Sequence, residues 1–173
     1  SALFPTISSL FEKNGISPTE LSFISVGAGP GAYTGIRVGA ASAKSIAYAL
    51  NIPLIDFCSL QCFIPPHNGP FFSILDAKSG GIYILEGEKN QHTVLYKSKP
   101  LLVPSDQIGN YLTKDHYIVS PHMDHLKEKL LSSVDPEKCY NTYPDPAHMA
   151  KVTFLKKKNK NFNLLEKLEI LYL

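Results

Sequence analysis

A chain of 173 residues that is 44% hydrophobic and 18% charged can bury a sizeable core, which excludes an intrinsically disordered protein. A formal net charge of +2 gives no support for autonomous binding of nucleic acid. No apolar run approaches the ~20 residues of a membrane span, so no membrane association is expected. The three cysteines are an odd and sparse set, which favours a reducing, cytoplasmic compartment.

Residues 1–66 carry alternating helix and strand signals. The first predicted helix has an apolar face made of Leu3, Phe4, Ile7, Leu10 and Phe11, and Asn14-Gly15 ends it. The elements predicted after it are a capped helical turn at 17–20, a strand at 23–26, a glycine-rich turn, a helix over 35–50 with Thr34 as its N-cap, a strand at 52–57 and a helical turn from Ser59. This order is typical of an α/β fold.

The proline-rich linker 65–70 introduces a different pattern, in which strands predominate at first. The predicted elements are a hairpin of strands 71–76 and 82–86, a further strand at 93–96, a helix over 105–112, a strand at 117–119, a helix over 123–131, a helix from Asp145 to about Leu155, and a final strand or extended tail at 170–173. We expect a first domain at 1–66 and a second at 67–159, with the tail 160–173 returning to the first.

The glycine-rich turn consists of Gly27, Gly29, Pro30, Gly31, Thr34 and Gly35. A glycine-rich loop before a helix can hold a phosphate, because the free N–H groups of a helix N-terminus attract anions. Its spacing matches neither of the two common phosphate-binding motifs, G-x-x-x-x-G-K-[ST] and G-x-G-x-x-G. The spacing therefore favours a tight turn that packs a helix close to a sheet.

The helix after this turn has a row of small residues spaced by four, namely Gly35, Gly39, Ala43 and Ala47. Such a row lets another helix approach closely, and we expect it to form an exposed packing surface shared with the first helix. Arg37 is the only arginine among 17 cationic residues, and it lies early in the helix, where a cation opposes the helix dipole. Two interpretations of Arg37 remain open: it is an ordinary surface arginine, or its guanidinium binds carboxylate or carbonyl groups.

No catalytic site, metal or cofactor is predicted from the titratable residues. His116, His122, His125 and His148 lack the spacing of metal ligands, and the gap between Cys58 and Cys62 is not that of a zinc knuckle. Asp76 is typical of a residue that caps a turn. The lysine-rich run 156–160 is typical of a solvated helix end rather than a nucleic-acid patch.

Several segments closely resemble the TsaB (YeaZ) family. The resemblance is carried by G-A-G-P-G-A-Y-T-G-I-R-V-G at 27–39, A-S-A-K at 41–44, I-P-L at 52–54, L-D-A-K-S-G-G-I-Y at 75–83 and, more weakly, Y-P-D-P-A at 143–147. It is strong over about residues 1–86 and thin beyond. It implies a two-domain actin-like fold of the acetate kinase–hsp70–actin (ASKH) class.

The resemblance also implies a function. TsaB-like chains belong to the bacterial complex that makes N6-threonylcarbamoyladenosine in tRNA, where they are non-catalytic and bind the homologous catalytic subunit TsaD through two N-terminal helices. The implied partners are a TsaD-like subunit, a TsaE-like ATPase and tRNA through the complex, and a homodimer. Two alternatives remain, a metal-dependent glycoprotease-like enzyme and an ATP-binding ASKH protein. The glycoprotease-like alternative gains no support from the histidines, because no two are four residues apart, as in the H-x-x-x-H pair of catalytic homologues. For the ATP-binding alternative, the resemblance implies that the phosphate-binding hairpin would lie in the N-terminal part that residues 1–173 lack.

The chain departs from the family pattern at two places. The family has strands with a D-T-[SA] motif before the first helix, and residues 1–173 lack them, so the resemblance implies an incomplete N-terminal domain. Where the family often has G-[DE]-G after a second-domain strand, the chain reads I-V-S-P-H at 118–122. The second domain is therefore expected to be divergent.

Overall fold

The computed structural model describes residues 2–130, 133–159 and 170. Its α-helices are α1 (Leu3–Asn14), α2 (Tyr33–Leu50), α3 (Met123–Leu130) and α4 (Pro146–Lys158). Its strands are β1 (Ile24–Gly27), β2 (Leu54–Phe57), β3 (Gly69–Asp76), β4 (Ile82–Lys89), β5 (Val94–Tyr96), β6 (Leu101–Val103), β7 (Tyr117–Ser120) and β8 (Cys139–Asn141). Short 3-10 helices at Pro18–Glu20, Ser59–Cys62, Lys78–Gly80, Ile108–Asn110 and Pro136–Lys138 connect them.

The first sheet consists of β1 and β2, which run parallel with Ile24 opposite Leu54 and Gly27 opposite Phe57. The helix α2 joins the two strands, as a parallel crossover requires. It packs on the sheet through Ala43 and Ala47. Among the described strands β1 pairs with β2 alone, so this sheet is small.

The second sheet has the strand order β5-β4-β3-β7-β8, with β6 pairing along the other half of β4. The predicted hairpin is confirmed, because β3 and β4 are antiparallel over their whole length. β7 and β8 run parallel to β3. A core lies on each face: α3 covers the face of Ile74 and Ile118, and the 3-10 helix at Ser59–Cys62 covers the face of Phe71 and Val119. Burial on both faces explains why β3 reads as a continuous apolar run.

Four sequence predictions of local structure need correction or fall outside the description. α2 begins at Tyr33 with Ala32 as an N-cap that makes no side-chain hydrogen bond, so Thr34 lies inside the first turn and is not the cap. Only the single turn Ile108–Asn110 forms where a helix over 105–112 was predicted. Leu131 and the predicted strand at 170–173, apart from Ile170, lie outside the described residues.

Three other helix ends follow the sequence. Ser17 and Glu20 form the predicted capping box, with the Ser17 N–H donating to Glu20 Oε2 at 2.6 Å. The Asp145 carboxylate accepts the His148 N–H at 2.9 Å and starts α4. Gly15 ends α1 in the left-handed region, at φ 62°.

None of the described helices is both long and apolar enough to cross a lipid bilayer.

We expect Ala47→Leu to lower the free energy of unfolding by about 1–3 kcal/mol, because Ala47 is fully buried between α2 and the first sheet. Ala41→Leu, on the exposed side of the same helix, is the matched control and should change stability little. Urea unfolding of both variants measures the difference. Equal midpoints for the two variants would contradict the packing of α2 described here.

Candidate functional site

The glycine-rich loop is held by its own backbone. The Ala28 N–H donates to the Phe57 carbonyl at 2.8 Å, and the Ser59 N–H donates to the Gly29 carbonyl at 2.7 Å. Gly29 has φ 113°, which favours glycine, and a Cβ on Gly27 would lie 3.1 Å from Ser59 Oγ. Ala28, Gly29 and Pro30 are buried, and the Gly29–Pro30 peptide bond is cis. These contacts agree with the tight turn that the spacing favoured, since the loop packs against the end of β2.

The row of small residues on α2 lies differently from the prediction. Ala43 and Ala47 are 7% and 0% exposed, and they pack with Leu54 against the first sheet. A Cβ on Gly39 would lie 3.9 Å from Val26, so this position also faces β1. The expectation that the row is an exposed surface for another helix is wrong at these positions. The small side chains of this row allow α2 to approach a sheet of the same chain. Of the four residues, only Gly35 is exposed.

The helix α1 presents apolar residues that the described chain leaves uncovered. None of its described residues, Leu3–Asn14, is buried. Phe4 is 53% exposed and Leu10 is 63% exposed, on two different sides of the helix. An isolated helix of this length is marginal in water, so α1 needs further packing to be stable.

A groove of about 590 Å³ separates α1 from α2 and β1. Its walls are mostly apolar and include Leu3, Phe4, Ile7 and Phe11 of α1, Ile24 and Val26 of β1, and Gly39, Ala43 and Ile46 of α2. Four of the five predicted apolar residues of α1 therefore face a common groove with α2. Leu10 lies on the other side, beside Thr6 and Ser9.

Arg37 stacks on an aromatic ring of its own helix. Its guanidinium carbon lies 3.8 Å from the centroid of the Tyr33 ring, which is 57% exposed and was not predicted as a site residue. Tyrosine four residues before arginine is the signal in the sequence that would have indicated this contact. The contact offsets the unfavourable place of a cation near a helix N-terminus. A carboxylate or carbonyl partner for Arg37 stays a prediction.

The described residues hold no group of three or more histidine, cysteine, aspartate and glutamate side chains able to bind a metal ion. Burial raises the pKa of the Cys58 thiol and raises the pKa of Cys62 to about 12, so both thiols are protonated and unreactive at neutral pH. Asp76 accepts the Lys78 N–H at 2.8 Å, as expected of a turn cap.

One further group of contacts joins distant parts of the chain. Tyr96 Oη donates to the Gln61 carbonyl at 2.9 Å and lies 2.9 Å from His148 Nε2. Desolvation lowers the pKa of His148, which keeps its imidazole neutral at pH 7. The sequence does not indicate the contacts of Tyr96 with Gln61 and His148, because these partners lie 35 and 52 positions away from it.

Comparison with known proteins places this arrangement in a family. The family model TsaD, described as tRNA N6-adenosine threonylcarbamoyltransferase, matches residues 1–168. The chain therefore belongs to this family. The Bacillus subtilis (strain 168) tRNA threonylcarbamoyladenosine biosynthesis protein TsaB is 38% identical over 84 residues, which are 46% of this chain and 36% of that protein. The Escherichia coli (strain K12) protein of the same name is 25% identical over 97 residues, 53% of this chain and 42% of that protein.

The solved structure of YeaZ from Pseudomonas aeruginosa has the same fold. Its TM-score is 0.82 at 15% identity, and the match covers 98% of this chain and 83% of that one. The resemblance to TsaB (YeaZ) proteins and the predicted α/β actin-like fold class are thereby confirmed. The sequence matches span well under two thirds of either curated relative.

We expect Arg37→Ala to lower the free energy of unfolding by about 0.5–1 kcal/mol, the usual strength of an exposed cation–π contact. Arg37→Lys should recover only part of this loss, because an ammonium does not stack on the ring as a planar guanidinium does. Both changes are repeated in a Tyr33→Leu background, where the difference between the Arg and Lys variants should become smaller. Full recovery by lysine in the unmodified chain would show that only the charge of Arg37 matters.

Proposed function

We propose that this chain is a non-catalytic subunit of the bacterial complex that forms N6-threonylcarbamoyladenosine in tRNA, and that it binds the homologous catalytic subunit, TsaD. The family match and the names of the curated relatives support the pathway. The observation that carries the binding role is the exposed apolar surface of α1 beside the groove shared with α2.

The exposed apolar residues of α1 and α2 support a role for these helices in binding a partner. Phe4 and Leu10 are more than half exposed, and Val38 and Tyr48 of α2 add apolar area that the chain itself leaves uncovered. Exposed apolar residues concentrated on neighbouring elements mark interaction sites rather than ordinary surface. A partner helix pair packing on α1 and α2 would cover this area, and the buried Ala43 and Ala47 would then support the surface from beneath.

The remaining parts of the proposal follow from the same role. A TsaE-like ATPase and tRNA would reach the chain through the complex, in the cytoplasm, and a homodimer through the same surface would compete with the catalytic subunit. We also propose that the chain divides at the linker 65–70 into domains 1–66 and 67–159. The absence of a metal-binding cluster from the part of the chain that the structure describes supports the non-catalytic role over the glycoprotease-like alternative.

The ATP-binding alternative has a direct test. Isothermal titration of the purified chain with ATP separates it from the scaffold role, for which no heat of binding is expected. A peptidase assay with chelator controls addresses the glycoprotease-like alternative in the same way.

Phe4→Asp and Leu10→Asp should each weaken association with the TsaD-type protein of the same organism at least about tenfold, because a carboxylate would be buried in the interface. Leu95→Asp, which changes an equally exposed leucine on β5, is the matched control and should bind as the unmodified chain does. Co-purification followed by sedimentation measures the association. If all three variants associate equally well, the partner surface lies elsewhere.

A further inference from the structure

The helix α4 connects the second sheet to the first one. At its beginning, the Asp145 N–H donates to the Cys62 carbonyl at 2.9 Å, and His148 contacts Tyr96 of β5, which holds the Gln61 carbonyl. Met149 and Thr153 in its middle are buried. The helix then runs to the opposite part of the molecule, where it packs against β2.

The end of α4 contacts β2 and the segment that precedes β1 through two neighbouring lysines. Lys156 Nζ donates to the Asp56 carbonyl of β2 at 2.8 Å. Lys157 Nζ donates to the carbonyl of Ser22, two residues before β1, at 3.1 Å, and lies 5.2 Å from the centroid of the Phe23 ring. Lys156 thus contacts the backbone of β2 and Lys157 the backbone of the segment that leads into β1, while Lys158 is exposed.

The two lysine contacts add to the interactions that hold the first sheet, in which β1 pairs with β2 only among the described strands. Ammonium groups that donate to main-chain carbonyls form charge-assisted hydrogen bonds, which are stronger than neutral ones. Their position in the last turn of a helix is also favourable for cations. The lysine-rich run therefore has an internal role that its sequence did not indicate.

We propose that α4 is a brace through which the second half of the chain holds β1 and β2, and with them the surface of α1 and α2, and that Lys156 and Lys157 are the positioning residues of this brace. The inference rests on the proposed function only in treating that surface as the one that binds the catalytic subunit. In each of the two contacts, a lysine ammonium group donates a hydrogen bond to a main-chain carbonyl.

The test compares a Lys156→Met, Lys157→Met double variant with Lys158→Met, which removes one neighbouring charge that makes neither contact. Hydrogen–deuterium exchange of the full chain is measured for the amides of β1, β2, β3 and β4. We expect the amides of β1 and β2 to exchange at least about tenfold faster in the double variant and those of β3 and β4 to stay unchanged. Association with the catalytic subunit should weaken in parallel.

If the amides of β1 and β2 exchange at the same rate in the double variant as in Lys158→Met, the proposed brace is wrong. The proposal would also be overturned if amide exchange in the double variant were unchanged while binding to tRNA was lost. The lysine-rich run would then be a surface that binds nucleic acid. If the double variant does not fold, the Lys157→Met variant alone is compared, with Lys157→Arg expected to restore slow exchange. Faster exchange in a chain that never binds the catalytic subunit would contradict the proposed function while supporting the brace.

Discussion

The close approach of α2 to the first sheet is the contact on which the N-terminal part depends. Ala43 and Ala47 are small enough for the helix to lie directly on β1 and β2, and the glycine-rich turn lets the chain pass from β1 into α2 within a few residues. Larger residues at either place would push the helix away from the strands. With α2 fixed in this way, α1 lies across a groove from it and keeps Leu3, Phe4 and Leu10 exposed.

Much of this organisation could be predicted from the sequence because it depends on local signals. The apolar segments of β3 and β4 on either side of a glycine-rich turn, the capping box at Ser17–Glu20 and the cap at Asp145 each determine structure within a few residues, and the structure has them as predicted. The long motif at 27–39 identified the family, which the comparisons confirm. Local rules failed at 105–112, where the apolar residues Ile108 and Leu112 are buried in the core of the second sheet but only a single 3-10 turn forms.

The burial of the small-residue row could not be predicted, because spacing alone does not distinguish a helix surface that meets a sheet from one that meets another helix. The contacts of α4 were equally inaccessible, since Lys156 and Lys157 reach carbonyls 100 and 135 residues earlier in the chain. A run of lysines looks the same in sequence whether its ammonium groups face water or main-chain oxygens. Tertiary packing decides both cases, and it links the second half of the chain to the surface that we propose binds the partner.

The measurement that tests the central claim most directly is the amount of N6-threonylcarbamoyladenosine in tRNA when this protein is depleted from its own cells. Nucleosides from digested tRNA are quantified by mass spectrometry before depletion, after it, and after expression of the natural protein is restored. The proposed function predicts that the modified nucleoside falls on depletion while the catalytic subunit is still present, and returns on restoration. An unchanged amount of the modified nucleoside in cells without the protein would contradict a role in its synthesis.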